Sequence, residues 1–232
     1  MQSADDTLTY NADTYGFDMD GTSSMDSHML KNTEWGIVAM LSQSKYGKYG
    51  NSSYSGIDKE VSINNCSNYI TGIGGNAVSD DYSSTTCTTN TYETEKGQAA
   101  STTGTIYGVY DMSGGMSEYV MGNHNNYSGS SNTSNSGFCG TKGPTTNCRE
   151  WPDAKYVDVY TDVLVESAYK FGDGTYETLS WYNDYATFIN NSYPWIYRGG
   201  NFSYSTTAGV FATDMNFGTG NTFSSSRFVV KP

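Results

Sequence analysis

The chain combines a surplus of small polar residues with a surplus of aromatic ones, and few folds accommodate both. Ser, Thr, Asn and Gly fill 104 of 232 positions, yet 21 Tyr, 9 Phe and 4 Trp make 15% of the chain aromatic. A polar chain without such rings would stay disordered, because it could not bury enough apolar surface to offset the entropy of ordering. Rings scattered through loop-like sequence instead predict an α+β fold that is rich in loops, with few helices and short antiparallel sheets. One domain over 1–232 is enough to hold its core at this length.

Charge narrows the partners. Twelve basic against 24 acidic side chains leave a net charge of −12, and only Arg149, Arg198 and Arg227 are arginines. Phosphate-backbone binding needs a cationic face, so nucleic acid is excluded as a direct partner. No run approaches the roughly 18 apolar residues of a membrane helix, so no membrane insertion is expected. The start, Met1-Gln2-Ser3-Ala4-Asp5-Asp6, lacks the basic and apolar regions of a secretory signal. It reads as a trimmed start or an internal domain boundary, and residues 1–27 as an irregular lead-in. Asp18-Met19-Asp20-Gly21 resembles the opening of a calcium loop, but no Glu follows at the twelfth position, so a turn is the simpler reading and a structural calcium the alternative.

Four cysteines fall into two close pairs, Cys66 with Cys87 and Cys139 with Cys148. Of the three possible pairings, these local ones close the shortest loops. Neither pair has zinc-knuckle spacing, and His28 and His124 are remote from both, so no metal site is expected. Two disulfides imply an oxidising, extracellular setting.

Asn32-Thr33-Glu34-Trp35-Gly36-Ile37-Val38-Ala39-Met40-Leu41-Ser42 carries the clearest helix signal. Asn32 or Thr33 is expected to cap it, Glu34 to favour its positive end, and Ile37, Val38 and Leu41 to form the buried stripe. Gly47, after Tyr46, is expected to stop it in a left-handed conformation. Residues 50–105 read as a long ordered insertion with short strands. In 106–121, the Asp111-Met112-Ser113-Gly114-Gly115 turn separates two short apolar segments. Tyr156–Tyr160 alternates like a strand, 181–189 is aromatic-rich, and Val229-Val230 reads as the closing strand.

Three blocks, in order, resemble the formylglycine-generating-enzyme type of C-type lectin fold: Tyr110-Asp111-Met112-Ser113-Gly114-Gly115-Met116-Ser117-Glu118-Tyr119-Val120, Tyr197-Arg198-Gly199-Gly200-Asn201-Phe202 and Ser226-Arg227-Phe228-Val229-Val230. In that family they correspond to D-M-S-G-N-V-W-E-W, R-G-G-S-W and F-R-V-V. The 32–42 segment is also similar to bacterial members reading K-N-T-E-W-G-x-V-A. Ser117, Tyr119, Phe202 and Ser226 depart from the family's aromatic positions. The family's chemistry does not carry over. Copper-dependent members use two cysteines after the R-G-G block, and 201–226 contains none; the iron-dependent members need a His-rich site, and this chain has two His. No histidine has the context of a serine hydrolase, and no carboxylate pair is marked. The E-P-N or Q-P-D motif of calcium-dependent sugar binding is missing too, and Trp181-Tyr182-Asn183-Asp184 matches its W-N-D partner only superficially.

Residues 201–226 comprise five Ser, five Thr, four Phe, three Asn and three Gly, with Asp214 the only charge and no Lys, Glu, Gln or Trp. Binding loops favour this mixture, since rigid rings give area at small entropy cost and small polar groups adapt around them. The segment also resembles the variable region of proteins diversified by retroelements. There adenine-directed mutagenesis of Asn codons reaches Tyr, Phe, Ser, Thr, Asp, Gly, Ala and Val but not Trp, Lys, Glu, Gln or Met; only Met215 breaks the pattern. The resemblance implies a non-catalytic protein displayed on a bacterial or phage surface, with a variable region at 197–226 that binds a protein or other cell-surface macromolecule. Its ligand-contacting positions would be Tyr197, Phe202, Ser203, Tyr204, Ser205, Thr206, Thr213, Asp214, Asn216, Phe217, Thr219, Asn221, Thr222, Phe223, Ser224 and Ser225, with no cofactor. Gly199, Gly200, Ala208, Gly209, Val210 and Phe211 would be scaffold, and Arg198 and Arg227 are expected to pair with Glu118 or backbone carbonyls. An unrecognised activity on the same fold, or a structural, pilus-like surface subunit, are the alternatives.

Overall fold

Strand β1 (Asp26–Met29) leads directly into helix α1 (Asn32–Ser42). The computed structural model describes residues 26–67, 70–75, 90–129, 136–140, 145–161 and 170–231. Asp26 and Ser27 are therefore already in a strand, which shortens the expected irregular lead-in; Asp18-Met19-Asp20-Gly21 lies outside the described residues.

Helix α1 has the expected bounds but a different cap and a different buried face. Lys31 occupies the cap position, and Glu34 folds back to accept the Lys31 backbone N–H at 2.8 Å. Thr33 does not cap; its N–H and hydroxyl both donate to Oδ2 of Asp158, each at 2.8 Å. Asn32 is buried and donates to the Tyr160 hydroxyl at 2.7 Å. A strand more than a hundred residues away thus accepts one of the first-turn N–H groups that the cap leaves open. Trp35, Gly36, Ala39 and Ser42 face inward, whereas Ile37 and Leu41 are each 54% exposed and only Val38 of the expected stripe packs on the core. Shape decides this: a Cβ on Gly36 would stand 2.2 Å from the Asp173 backbone, so only the small-residue side of the helix can approach that segment. The helix ends at Gln43. Gly47 has φ −93°, not a left-handed value, and serves instead where a Cβ would meet the Leu41 carbonyl at 2.3 Å.

Among the described residues, 50–105 holds no strand. It contains a 3-10 turn (Gly56–Lys59), a one-turn helix α2 (Glu95–Gln98) and two isolated bridges, Asn64–Gly114 and Ile73–Thr91. Cys66 is buried and disulfide-bonded; Cys87 lies outside the described residues. Cys139 is bonded to Cys148, as expected, closing a loop whose constraint on the unfolded chain amounts to about 3 kcal/mol.

The main sheet is built on β2 (Ser117–His124), all eight residues of which are buried. One edge carries β4 (Trp195–Arg198), antiparallel, and beyond it β5 (Thr213–Asn216), also antiparallel. The other edge is shared end to end by β6 (Ser224–Ser226) and β3 (Asp158–Tyr160). Both run parallel to β2, so the sheet is mixed and not wholly antiparallel. Long connections make this possible, since parallel neighbours need a crossover where antiparallel ones need only a turn. Residues 30–31 meet β2 between them: Met121 donates its N–H to the Leu30 carbonyl at 2.8 Å. Strand β7 (Phe228–Lys231) pairs antiparallel with β1, bringing the two ends of the described chain together.

Both faces of β2 are covered. On one side Val120 and Ile196 join Trp35, Leu30, Tyr160, Val210 and Phe211 in a core that draws on segments from Leu30 to Phe211. On the other, Tyr119, Met121, Trp195 and Tyr197 pack with Phe138 and Trp151. The Trp151 and Trp195 rings lie 5.6 Å apart, with Phe138 5.8 and 5.9 Å from them; Phe138 sits beside Cys139, so the disulfide holds it there. The described chain is therefore α+β, with few helices and short sheets.

Gly36→Ala is expected to lower stability by roughly 1–3 kcal/mol, because backbone must move to admit the methyl group. Ile37→Ser and Leu41→Ser are expected to stay within about 0.5 kcal/mol of the wild type. Urea unfolding of the three variants checks the reversed stripe.

Candidate ligand-binding face

Strand β4 ends in Gly199 and Gly200, both left-handed at φ 82° and 65°. The turn they make brings Gly199's carbonyl to the Gly114 N–H at 2.9 Å and Phe202's N–H to the Gly115 carbonyl at 2.9 Å. Arg227 adds a two-point pair to Glu118, with Nε 2.5 Å from Oε2, and donates to the Tyr110 carbonyl at 3.2 Å. The three sequence blocks thus meet at one place, and Arg227 has the expected partner. Arg198, fully buried, donates to the Gly174 carbonyl at 2.6 Å, and burial lowers its pKa to about 10, opposed by Asp173.

Beyond this junction the chain forms a 3-10 turn (Phe202–Thr207), β5, a loop (217–223) and β6. Asparagine side chains hold this backbone from within. Oδ1 of Asn201 accepts from the N–H and hydroxyl of Ser203; that of Asn216 from Tyr119 Oη at 2.5 Å and Gly218 N–H at 3.2 Å; that of Asn221 from Phe223 N–H at 2.7 Å and Ser224 Oγ at 2.9 Å. Each shapes its own loop as an Asx turn does.

The structure divides the sixteen candidate positions into three groups. Tyr197 and Thr213 are buried, at 6% and 3% exposure. Both lie in the paired β4–β5 register, and the Tyr197 ring centroid is 4.1 Å from that of Tyr119, so neither can meet a ligand. Tyr204, Asp214, Asn216, Asn221 and Ser224 are at least partly accessible but tied into the frame: Asp214 accepts from Tyr204 Oη at 2.7 Å and Thr187 Oγ1 at 2.8 Å, and Ser224 bonds the Tyr197 hydroxyl. Burial and the Asp214 carboxylate push the Tyr204 phenol up. The remaining nine (Phe202, Ser203, Ser205, Thr206, Phe217, Thr219, Thr222, Phe223 and Ser225) are half-buried or exposed. The Phe202 and Phe223 rings lie 6.0 Å apart, and Phe223 is 43% exposed. Of the expected scaffold, Ala208, Val210 and Phe211 are buried.

Two aromatics outside 197–226 complete the face. Tyr185, 41% exposed, makes an edge contact with Tyr204 at 5.6 Å, and Tyr193, 36% exposed, lies 4.7 Å from Phe217. Ala186 bridges to Thr213, and Tyr185 N–H donates to Thr207 O at 2.9 Å, so this segment runs beside β5. The aromatic density of 181–189 was the available signal; the pairing that brings it to β5 is not encoded in local pattern.

Asp184 anchors that segment. It is buried, its Oδ2 accepts the Phe211 N–H at 3.0 Å, and a Cβ on Gly209 would overlap the carboxylate at 2.1 Å. Burial pushes its pKa up to about 7, against the pull of backbone N–H groups and Arg198. Among the described residues no group of three or more His, Cys, Asp or Glu is placed to hold a metal ion, and no helix is long and apolar enough to cross a membrane. No protein-family model matches the chain, and no curated protein or solved structure matches it.

An acid whose pKa is raised on folding loses stability as pH climbs from its unfolded value, about 4, through its folded one. Asp184→Asn removes that loss. The melting-temperature advantage of the wild type over Asp184→Asn should therefore shrink between pH 4 and pH 8, as calorimetry at fixed ionic strength would register.

Proposed function

We propose that the chain is a non-catalytic binding protein on a C-type-lectin-like scaffold of the formylglycine-generating-enzyme type, whose face of residues 202–225 recognises a macromolecular ligand. On this reading it works as the variable proteins of diversity-generating retroelements do, displayed outside the cell. One observation carries the reading: phenyl rings and hydroxyls at nine candidate positions stand at the surface of a backbone that other residues hold in place. The contact of the three resembling blocks through Gly114–Gly199, Gly115–Phe202 and Glu118–Arg227 supports the scaffold. The Cys139–Cys148 bond fits an oxidising compartment.

Binding would rest on a few aromatic anchors, with Phe202, Phe217 and Phe223 joined by Tyr185 and Tyr193, and on hydroxyls that adapt around them. Tyr197 and Thr213 belong to the frame. Variation is tolerated because an exposed side chain makes few internal contacts, whereas the glycines, the buried Arg198, the paired Arg227 and the asparagine turns below are fixed by geometry.

Two experiments test this. Exchanging Ser203, Thr206, Phe217, Thr219, Thr222 and Phe223 together for other residues reachable from Asn codons should leave the fold intact, each change moving stability by within about 0.5 kcal/mol. Tyr197→Ala, by contrast, should cost about 3–5 kcal/mol. Unfolding of most grafts would overturn the reading. Sequencing the DNA beside the coding region should find a near-identical copy of the 197–226 segment differing at adenines, with a reverse transcriptase nearby.

A further inference from the structure

Beside the face lies a cleft of about 240 Å³. It is lined by Tyr110, Asp111, Gly115 and Met116 of the turn, by Ile70 and Thr71, by Glu118 and by the Ser225–Arg227 stretch. Sites that enclose whole small molecules run to roughly 300–1,000 Å³, so this one has room for about a single side chain.

Among the described residues three charged groups line it, and they do not cancel. Glu118 and Arg227 form the two-point pair described above and neutralise each other. Asp111 is left. Its carboxylate accepts from Asn64 Nδ2 at 2.8 Å and from the Gly72 N–H at 3.0 and 3.2 Å. These neutral donors aim the carboxylate without removing its charge. Asp111 itself has φ 61°, a left-handed conformation that Asp and Asn tolerate better than other side chains, and Asn64 is buried, so the group is held rigidly. An incoming carboxylate or phosphate would meet Asp111 and a guanidinium that is already paired. A purely apolar group would desolvate Asp111 with nothing in return. A cation on an alkyl stem satisfies the cleft: its head reaches Asp111 beside the Ser225–Ser226 stretch, and its stem lies along Ile70 and Met116.

We propose that this cleft is a fixed subsite for a basic side chain, the ammonium or guanidinium of a Lys or Arg presented by the bound macromolecule, which is thereby a protein. This deepens the function proposed above and rests on it for the source of the side chain. Ser225 belongs to both surfaces, and Phe223 lies two residues before it, so a ligand resting on the aromatic face reaches the cleft without a gap. The face varies while the cleft, built mainly from the 110–118 and 226–227 blocks, supplies one constant preference.

The test uses the full chain and simple probes. N-acetyl-argininamide and N-acetyl-lysinamide are titrated while the Met116 and Ile70 methyl signals are followed by NMR, with N-acetyl-glutaminamide as a neutral control of similar length. The basic probes should give saturable shifts with Kd in the millimolar range, about −4 kcal/mol, and the neutral one none. Asp111→Asn, which keeps the left-handed residue and the Asn64 contact, should weaken binding about tenfold, and raising the salt should weaken it in the wild type. Thr71→Trp, at an exposed position on the cleft wall, should block the probes whether or not Asp111→Asn folds. Absence of saturable shifts, an equal response to the glutamine probe, or indifference to both substitutions would overturn the proposal. Phe217→Ala and Phe223→Ala should leave probe binding unchanged, so failure of the face grafts and failure of the cleft are read separately.

Discussion

The Trp35 indole is the point on which the rest of the structure depends. It is wholly buried, donates its N–H to the Val210 carbonyl at 2.8 Å, and has the guanidinium carbons of Arg198 and Arg227 at 5.9 and 5.5 Å from its ring. A desolvated guanidinium over an indole contributes about 2 kcal/mol, but only if its other donors also find partners. Arg227 meets that condition through Glu118, whereas Arg198 has one partner among the described residues, the Gly174 carbonyl, and its Nε and Nη1 are buried without one. One ring therefore ties α1 to β4, to the 173–174 backbone, to the 210 segment and to the closing strand. The close approach of Gly36 to Asp173 is what lets the ring reach that depth.

This arrangement separates a frame from a face. Strands β2 and β4 are covered on both sides, so their residues cannot serve recognition, and Tyr197 is buried because it sits in β4. Residues 202–207 and 217–223 connect the buried stretches of that frame, and there asparagine side chains hold the turns. There the Phe223 ring stands 43% exposed. Asp184 and the Tyr185–Thr187 segment support β5 from beneath and beside it, making the face composite and wider than one stretch of sequence.

Much of the frame was legible in sequence. The bounds of α1, the Asp111–Gly115 turn with Asp111, Gly114 and Gly115 all at positive φ, the closing strand, the Cys139–Cys148 bond and the Glu118–Arg227 pair follow from strong local signals or from chemistry that admits few partners. The buried face of α1 was not legible. Hydropathy points to Ile37 and Leu41, but the covered side is the one where Gly36 lies against the Asp173 backbone and Trp35 and Ala39 enter the core. Nor was Lys48 readable: it is fully buried with its ammonium on the Glu60 carbonyl, and burial lowers its pKa to about 8, where a lysine in such a polar stretch reads as surface. The candidate face was readable as a composition, since Ser, Thr and Phe crowd 201–226. Its membership was not: Tyr197 and Thr213 leave it, and Tyr185 and Tyr193 join it.

What the sequence determined alone is what local chemistry can enforce: where backbone must turn, which segment is helical, which cysteines lie close enough to bond, and that aromatics must build a core among polar loops. Tertiary structure decided which side of each element is covered. That outcome depends on which distant segments arrive, and whether they bring backbone or side chains. Strand β3 reaches its edge of β2 through the long stretch after His124, and β6 reaches the same edge from β5 through residues 217–223; no local pattern records the destination of either connection.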